Sequence, residues 1–389
     1  MSLEIIILLV YFALWALVMY LNVSYRRLGM MVGEARSLPS PSAGQLPPMS
    51  VIVTSREQHD ELSRNLPLLL EQEYPAGYEV IVVDMNSTDD TPALLESMQD
   101  RYSHLHVVTL PESARNICPT RLALTLGIRS ANHDWTVLTQ ADCRPASVHW
   151  LTRLGQACGQ KPEAQIVMGY TSFRKGRRWN GLRFRFFRTW QQMLHLPYAN
   201  RYGAYRCEAT NLCYRRSLFL SHRGFADHSN LLVGATDIMV NRHSTPANTV
   251  LCLHPDAFVL QQSPRYSRRW YQERLFFVET RRHFRRRHLY RLCYFLHVLQ
   301  TMLFTLCTLA AVLYSLWKSV YCLLAVVVIL WLVHAIRRAK CFNFTTRALG
   351  ERSFTLSLPL LLNLVPLWDL AARLRWSFTK EKVFQKKFI

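Results

Sequence analysis

The chain has 389 residues and a formal net charge of +21, from 47 Lys and Arg against 26 Asp and Glu. Half of its residues are hydrophobic, which excludes a disordered chain, since such chains are poor in apolar and aromatic residues. The apolar residues concentrate in uncharged runs at the two ends of the chain, which excludes an ordinary soluble enzyme.

The first uncharged run covers residues 5–25, which is 21 residues. At about 1.5 Å per residue, such a helix crosses about 30 Å of hydrocarbon. A cleaved signal peptide is the competing interpretation, and it would need basic residues before the run and a small-residue cleavage site after it. The run instead follows Glu4 and ends at Arg26 and Arg27. We therefore expect a retained transmembrane anchor over residues 1–27.

Residues 28–48 are predicted to be a linker, because they are rich in proline, serine and glycine. From residue 49, apolar runs of strand length alternate with segments of helical periodicity. The predicted strands are 51–54, 79–83, 106–110 and 135–139. This alternation predicts an α/β fold with a mostly parallel sheet that helices cover on both faces.

Two carboxylates follow predicted strands, Asp84 and Asp142. Ligands of parallel sheets bind at the carboxyl ends of the strands, so both lie where a ligand is expected. The chain has no GxGxxG or GxxxxGK[ST] motif, which disfavours dinucleotide and P-loop sites. A divalent cation on a carboxylate is another way to hold a diphosphate, and Asp142 is suited to Mg²⁺ or Mn²⁺. The competing interpretation of Asp142 is a helix-capping residue at a strand-to-helix turn.

Aromatic side chains alternate with basic ones between residues 174 and 190. This pattern is typical of a surface that lies at the membrane interface and receives a lipid-linked acceptor. A basic helix packed on the sheet is the alternative, and we favour the interface because the region is expected to be tethered to a bilayer.

Two further uncharged runs follow, residues 292–317 and 319–336, with Lys318 between them. Their lengths of 26 and 18 residues predict a transmembrane hairpin over residues 289–336. The basic juxtamembrane region 337–389 contains a further apolar segment.

That segment, residues 353–371, is interrupted by prolines and has basic residues on both sides. Positive charge favours the cytoplasmic side of a membrane, so both flanks are expected on the same side. A re-entrant or interfacial segment satisfies this better than a full transmembrane span.

Basic clusters also flank the α/β region, Arg26 and Arg27 before it and five arginines between residues 281 and 287 at its end. They predict that the domain 49–288 is cytoplasmic, in a multi-pass protein of the cytoplasmic or inner membrane. Anionic lipid headgroups explain the positive excess, and nucleic acid is not expected as a partner.

Several motifs in this order resemble the membrane-bound family-2 glycosyltransferases of the GT-A fold. The stretches that carry the resemblance are 51–53 (VIV), 79–84 (EVIVVD), 87–91 (STDDT), 122–128 (LALTLGI), 138–145 (LTQADCRP), 211–219 (NLCYRRSLF) and 234–241 (GATDIMVN). The resemblance covers about residues 49–285. It implies a GT-A (nucleotide-diphospho-sugar transferase) domain with N-terminal and C-terminal transmembrane helices.

The resemblance also implies an activity, the inverting transfer of a sugar from a UDP- or GDP-sugar to an acceptor hydroxyl. Asp142 would hold Mg²⁺ or Mn²⁺, which offsets the charge of the leaving diphosphate. Asp84 and Arg121 would contact the nucleotide, and Asp237 would be the general base. The acceptor would be lipid-linked or a glycan, in cell-envelope polysaccharide or glycolipid synthesis, with other envelope-synthesis proteins as further partners.

A QxxRW-type signature is expected near the membrane. Residues 279–283 (ETRRH) are one candidate, and residues 270–272 (WYQ), just upstream, are the other. The resemblance implies that Arg282 contacts phosphate and that His283 stacks or donates a hydrogen bond. Contact with lipid headgroups is an equally supported interpretation of this arginine-rich stretch.

The chain departs from the family pattern at the two carboxylate motifs. Gln140 replaces the first acidic residue of the DxD motif, although Asp142 is retained. The base segment reads Gly234-Ala-Thr-Asp237, so either Asp237 is the base or the base position falls on Thr236, which cannot serve. These losses motivate an alternative, a degenerate and non-catalytic glycosyltransferase-like membrane partner protein.

Overall fold

The computed structural model describes residues 3–39, 41, 43–111, 118–174, 179–226, 231, 233–263, 267–285 and 288–379. The α-helices of these residues are α1 (Leu3–Leu21), α2 (Ser24–Arg36), α3 (His59–Leu70), α4 (Thr91–Arg101), α5 (Pro119–Ser130), α6 (Trp150–Cys158), α7 (Trp179–Tyr202), α8 (Arg216–Ser221), α9 (Ala235–His243), α10 (Ser267–Thr280), α11 (His288–Trp317), α12 (Tyr321–Ala348) and α13 (Leu358–Ser377).

Ten strands form two sheets within the described residues. The strands are β1 (Met49–Ser55), β2 (Tyr78–Asp84), β3 (Leu105–Thr109), β4 (Trp135–Gln140), β5 (Cys143–Pro145), β6 (Ile166–Gly169), β7 (Thr171–Phe173), β8 (Leu212–Arg215), β9 (Thr249–Cys252) and β10 (Val259–Gln261). The larger sheet has the order β3-β2-β1-β4-β8-β6-β9, and the smaller one has the order β5-β10-β7. The four strands predicted from the sequence are therefore present, and the α/β prediction is confirmed.

The first half of the large sheet is parallel and buried. β1 pairs with β2 on one side and with β4 on the other, both in parallel register. Every residue of β1 is buried, as expected for a central parallel strand with both faces covered. β8 is antiparallel to both β4 and β6, so the sheet is mainly rather than wholly parallel. The carboxyl ends of β2 and β4 thus lie at the same edge.

The apolar core is continuous between one face of the sheet and the helices α2, α7, α12 and α13. A single cluster of buried side chains includes Ile52 of β1, Phe186 of α7, Tyr25 of α2, Phe342 of α12 and Leu361 of α13. A second cluster covers the opposite face, with contributions from α3 and α6. The α/β region is therefore packed directly onto the helices that flank it.

The linker prediction for residues 28–48 is wrong for its first part, because α2 extends to Arg36. This helix packs closely on α12, where the Gly29 amide donates a hydrogen bond of 3.1 Å to Thr345 Oγ1. A Cβ atom at Gly29 would lie 2.6 Å from the same oxygen. Composition suggested a linker, but the tertiary contact stabilises a helix.

Three helical segments within the described residues are long and apolar enough to cross a membrane, by length and composition. They are Leu3–Arg36, His288–Trp317 and Tyr321–Ala348. Helix α13, which contains most of the segment 353–371, is not among them and instead contacts α7, α10 and α11.

The interface prediction for residues 174–190 is wrong where the structure describes their side chains. On α7, Phe184 is 1% exposed and Phe186 is 0% exposed. Arg185 is also buried and pairs with Glu351 at 3.2 Å. The helix is therefore an internal one that joins the sheet to the C-terminal helices. Residues 175–178 and the side chain of Trp179 lie outside the described part of the chain.

Candidate active site

Asp84 ends β2 and anchors the loop that follows it. Its two carboxylate oxygens accept hydrogen bonds from Ser87, at 3.1 Å from the amide and 2.5 Å from the hydroxyl. Its side chain is buried, with the residue only 3% exposed. Asp84 therefore shapes the approach to α4.

Asp142 lies between β4 and β5, and its carboxylate contacts Gln261 of β10. Gln261 Nε2 lies 3.3 Å from Asp142 Oδ1, 3.2 Å from Asp142 Oδ2 and 3.3 Å from Gln140 Oε1. Antiparallel pairing of β10 with β5 brings these residues together. The glutamine thus donates to both residues of the altered DxD motif.

A polar network continues from Gln261 toward α7. Arg188 donates a hydrogen bond of 2.6 Å to Gln261 Oε1, and its second terminal nitrogen lies 3.9 Å from Glu208. Glu208 also pairs with Arg206 at 3.3 Å. Burial raises the pKa of Glu208, but the charges of Arg188 and Arg206 outweigh this effect, so the net pKa is lowered. Glu208 is therefore ionised within the network.

Asp237 lies in the first turn of α9, at the other end of this network. The backbone amide of Cys207 donates a hydrogen bond of 2.8 Å to Asp237 Oδ1. Burial raises the pKa of Asp237, and the charge of Arg206 and the Cys207 amide offset this only in part. A carboxylate with a raised pKa is suited to accept a proton near neutral pH.

Gly234 determines how α9 begins. It adopts a left-handed conformation, with φ of +70°, and a Cβ atom there would lie 2.1 Å from Thr280 Cγ2. Both constraints require glycine. Close contact with the end of α10 therefore positions the turn that carries Asp237.

A cavity of about 330 Å³ contains several of these groups. Its described lining includes Arg121, Gln140, Glu208, Asp237 and Gln261. Asp84 and Asp142 are buried and are not among the described lining residues. The sequence-based set is therefore only partly assembled around one cavity, which we call the small cavity.

A second cavity of about 800 Å³ lies between α7, α10, α11 and α13, and we call it the large cavity. It shares Arg188, Arg206, Glu208 and Glu273 with the small cavity. The two cavities are therefore adjacent, one at the edge of the sheet and the other beside a helix long enough to span a membrane.

Arg282 and His283 lie away from the small cavity. Both contact the carboxylate of Glu279, at 3.5 Å for Arg282 and 3.3 Å for His283. The indole nitrogen of Trp376, in α13, donates a hydrogen bond of 2.8 Å to the same carboxylate. The guanidinium of Arg282 also lies 4.7 Å from the Trp376 ring centre. Arg282 lines the large cavity, so a nucleotide contact by this pair stays a prediction.

Sequence reasoning missed Arg188, Glu208 and Gln261. Glu208 lies three residues before the NLCYRR stretch. A lone acidic residue next to a family motif was the only sign in the sequence that it could belong to the site. Asn211 of that stretch has a structural role. Its side-chain nitrogen donates hydrogen bonds to the backbone carbonyls of Tyr170, at 3.0 Å, and Ala257, at 2.8 Å.

The possible metal ligands near Asp142 fit a cation that binds together with a diphosphate, rather than one that is coordinated by protein side chains alone. Within the described residues, no three His, Cys, Asp or Glu side chains are grouped to hold a metal. Asp142 supplies one carboxylate and Gln140 one amide oxygen, and Mg²⁺ commonly uses one or two carboxylates plus substrate phosphates.

Residues 50–221 match the family model described as Glycosyl transferase family 2. This segment, with its parallel sheet and switch to antiparallel pairing, is a family-2 glycosyltransferase domain of the GT-A fold, so the resemblance seen in the sequence is confirmed. The fold is shared with a mannosyltransferase from Pyrobaculum calidifontis, solved in complex with GDP-Man and Mn²⁺. That likeness has a TM-score of 0.52 at 17% identity and covers 95% of this chain and 100% of the other.

Two curated relatives match a shorter stretch. Both are beta-monoglucosyldiacylglycerol synthases, one from a Nostoc species and one from Trichormus variabilis. They are 33% and 32% identical to this chain over 82 residues. That stretch is 21% of this chain and 18% of each relative, so the match concerns a small part of those proteins.

Proposed function

We propose that this protein is an inverting membrane glycosyltransferase that transfers a sugar from a nucleoside diphosphate sugar to a lipid acceptor. The observation that carries the proposal is the polar network from Asp142 through Gln261, Arg188 and Glu208, beside Asp237. It joins the expected donor end of a GT-A site to a carboxylate suited to proton transfer.

In this proposal, Asp237 takes the proton of the acceptor hydroxyl as that oxygen attacks the anomeric carbon. The bond between the anomeric carbon and the diphosphate breaks on the opposite face, so the configuration inverts. Asp84 holds the loop that frames the donor, and Arg121 lines the small cavity as a positive contact for the nucleotide. Arg282 and His283 are proposed to close the donor side only if Trp376 of α13 moves away from Glu279 and Arg282.

Asp142, with Gln140 beside it, is proposed to hold Mg²⁺ or Mn²⁺ together with the donor diphosphate. A bound cation would offset the negative charge that develops on the leaving diphosphate. The amide of Gln261 bridges these two residues and would keep them oriented before the donor binds.

The membrane-side packing supports a lipid acceptor. The large cavity lies beside α11, a helix of membrane-spanning length, and shares four residues with the small cavity. The partial likeness to two glycolipid synthases agrees with this class of product. We further propose that the α/β domain is cytoplasmic and that the product belongs to the cell envelope.

One observation favours a second candidate, a non-catalytic partner protein. The described residues contain no ready-made metal cluster, and Gln140 replaces a carboxylate. Such a protein would keep the fold and bind no donor.

The test is transfer of labelled sugar to lipid by the purified full-length protein in detergent. UDP- and GDP-sugars are supplied with a bacterial lipid extract, with Mn²⁺ or with EDTA, and label is counted in the organic phase. We expect transfer from one nucleotide class only, lost in Asp237→Asn and kept in Asp100→Asn, an exposed aspartate of α4. A folded protein that neither transfers label nor binds UDP or GDP by calorimetry would support the non-catalytic partner.

A further inference from the structure

The large cavity has a strong positive excess. Its described lining holds seven arginines and three carboxylates, so four positive charges are in excess. A cavity beside membrane-spanning helices is costly to charge, because desolvation penalises ions that lack partners. The excess therefore indicates a negatively charged ligand.

Four of these arginines have carboxylate partners. Arg188 and Arg206 pair with Glu208, Arg274 pairs with Asp369, and Arg282 pairs with Glu279. The pair of Arg188 with Glu208 joins α7 to the loop before β8, and the pair of Arg274 with Asp369 joins α10 to α13. They are accounted for by the fold.

The remaining three, Arg281, Arg291 and Arg373, form no ion pair with a carboxylate within the described part of the chain. Arg291 donates a hydrogen bond of 2.7 Å to the backbone carbonyl of Arg281, so its guanidinium is held beside that residue. Burial and the positive charges of Arg373 and Arg291 lower the pKa of Arg281, and Tyr205 and Asp369 offset this only in part. Like charges are therefore gathered at one side of the cavity.

Another part of the lining is apolar and continues to the outside of the helices. Phe187, Trp270 and Tyr294 line the interior, and Leu370 of α13 and Phe295 of α11 line its outer part. Leu370 is 53% exposed and Phe295 is 57% exposed. Since α11 is long and apolar enough to span a membrane, this apolar rim would face lipid chains.

We propose that the large cavity binds a phosphate-bearing membrane lipid as the acceptor, with the phosphate on Arg281, Arg291 and Arg373. The inference rests on the proposed function, because it names the acceptor class of the same site. Guanidinium groups bind phosphate through paired, charge-assisted hydrogen bonds, which a neutral diacylglycerol cannot supply. The lipid chains lie along the apolar rim, and the headgroup reaches the shared residues Arg206 and Glu208.

The test compares three soluble probes by calorimetry on the full-length protein in detergent. They are dioctanoyl phosphatidylglycerol, dioctanoylglycerol and inorganic phosphate. The two lipids share the dioctanoylglycerol part and both offer hydroxyl groups, and they differ in the phosphoglycerol headgroup, which carries the negative charge. We expect phosphatidylglycerol to bind at least about tenfold more tightly than either other probe, since one charge-assisted hydrogen bond is worth at least that factor.

The variant is Arg281→Gln with Arg373→Gln, and the matched control is Arg375→Gln, an exposed arginine of α13 outside the cavity lining. The double variant should bind phosphatidylglycerol about a hundredfold more weakly, and the control should bind as the wild type does. Equal binding of both lipids by the wild type overturns the inference, without recourse to any variant. Binding of inorganic phosphate as tight as that of the lipid overturns it too.

Failure here is separable from failure of the proposed function. Arginine-dependent lipid binding without any sugar transfer supports the inference about the lipid and counts against the enzyme. Transfer to dioctanoylglycerol at an equal rate in the wild type and the double variant keeps the enzyme and overturns the phosphate-bearing acceptor.

Discussion

The backbone amide of Cys207 donates a hydrogen bond of 2.8 Å to Oδ1 of Asp237. This bond joins the segment before β8 to the first turn of α9, across 30 residues of sequence. The neighbours of Cys207 are Arg206 and Glu208, which belong to the network that leads to Asp142. The geometry of the carboxylate is thus set by the same short segment that carries the charged pair.

Asp237→Asn should lower the rate of sugar transfer by about 10²–10⁴-fold, the usual effect of removing a general base. Asparagine keeps an oxygen that accepts from the Cys207 amide, so the fold should be retained. Transfer rate is measured beside the thermal midpoint in detergent, with Asp100→Asn as the control. Transfer at the wild-type rate would show that Asp237 is not the base.

The pH profile of transfer should reflect the raised pKa of Asp237. The base acts only when deprotonated, so activity should fall as pH is lowered through a range above the ordinary aspartate value of 3.8. The measurement is kcat/KM against pH for the wild-type protein. An acid limb that begins only near the ordinary value would contradict a raised pKa of Asp237.

The two DxD positions make opposite predictions for metal binding. Asp142→Asn should abolish Mn²⁺-dependent binding of UDP or GDP, because it removes the carboxylate next to Gln261. Gln140→Asp should tighten Mn²⁺-dependent binding by about tenfold, since it adds a second carboxylate ligand. Calorimetry with and without EDTA measures both. Nucleotide binding that is unchanged in Asp142→Asn would remove this residue from the metal site.

Glu208→Gln should lower the free energy of unfolding by about 2 kcal/mol, because it leaves Arg188 and Arg206 without a charged partner. The lowered pKa of Glu208 means that its contribution is present above its ordinary value of 4.5 and lost as pH falls below that value. Thermal unfolding of wild type and variant across this range tests the sign. If the difference in thermal stability between wild type and variant grew as the pH was lowered, this would contradict an ionised Glu208.

Two glycines with positive φ form a matched pair. Gly77 has φ of +79° and open space around it, so Gly77→Ala should cost about 1 kcal/mol from backbone strain alone. Gly234→Ala adds a collision with Thr280 and should cost about 2–4 kcal/mol. Only the second should also reduce transfer, because it displaces the turn of Asp237. Equal effects of the two variants would show that the contact with α10 is unimportant.

Local patterns in the chain were enough to predict the first strands, the membrane-length helices and the positions of Asp84 and Asp142. β1 and β2 each contain an uninterrupted apolar run, residues 51–53 and 80–83, and such a run is stable in a parallel strand with both faces covered. The helices α11 and α12 follow from uncharged length alone. These strands and helices could be predicted because each depends on residues that are close together in the sequence.

The aromatic and basic run of α7 shows where local patterns fail. Alternation of arginine with aromatic residues suggested a surface, yet Phe186 stacks on Phe342 of α12 with ring centres 5.8 Å apart. The linker composition before β1 failed in the same way, since Gly29 contacts Thr345. In both cases a distant segment supplied the packing partner.

Composition, periodicity and uncharged length thus defined an α/β chain with carboxylates at the strand ends, flanked by helices long and apolar enough to cross a membrane. The folded chain decided which polar groups meet there. Gln261 reaches Asp142 across 119 residues of sequence, and Glu208 joins arginines of α7 and of its own segment. Hydrogen bonds and ion pairs act over about 3–4 Å, so they depend on how the strands and helices pack rather than on spacing along the chain.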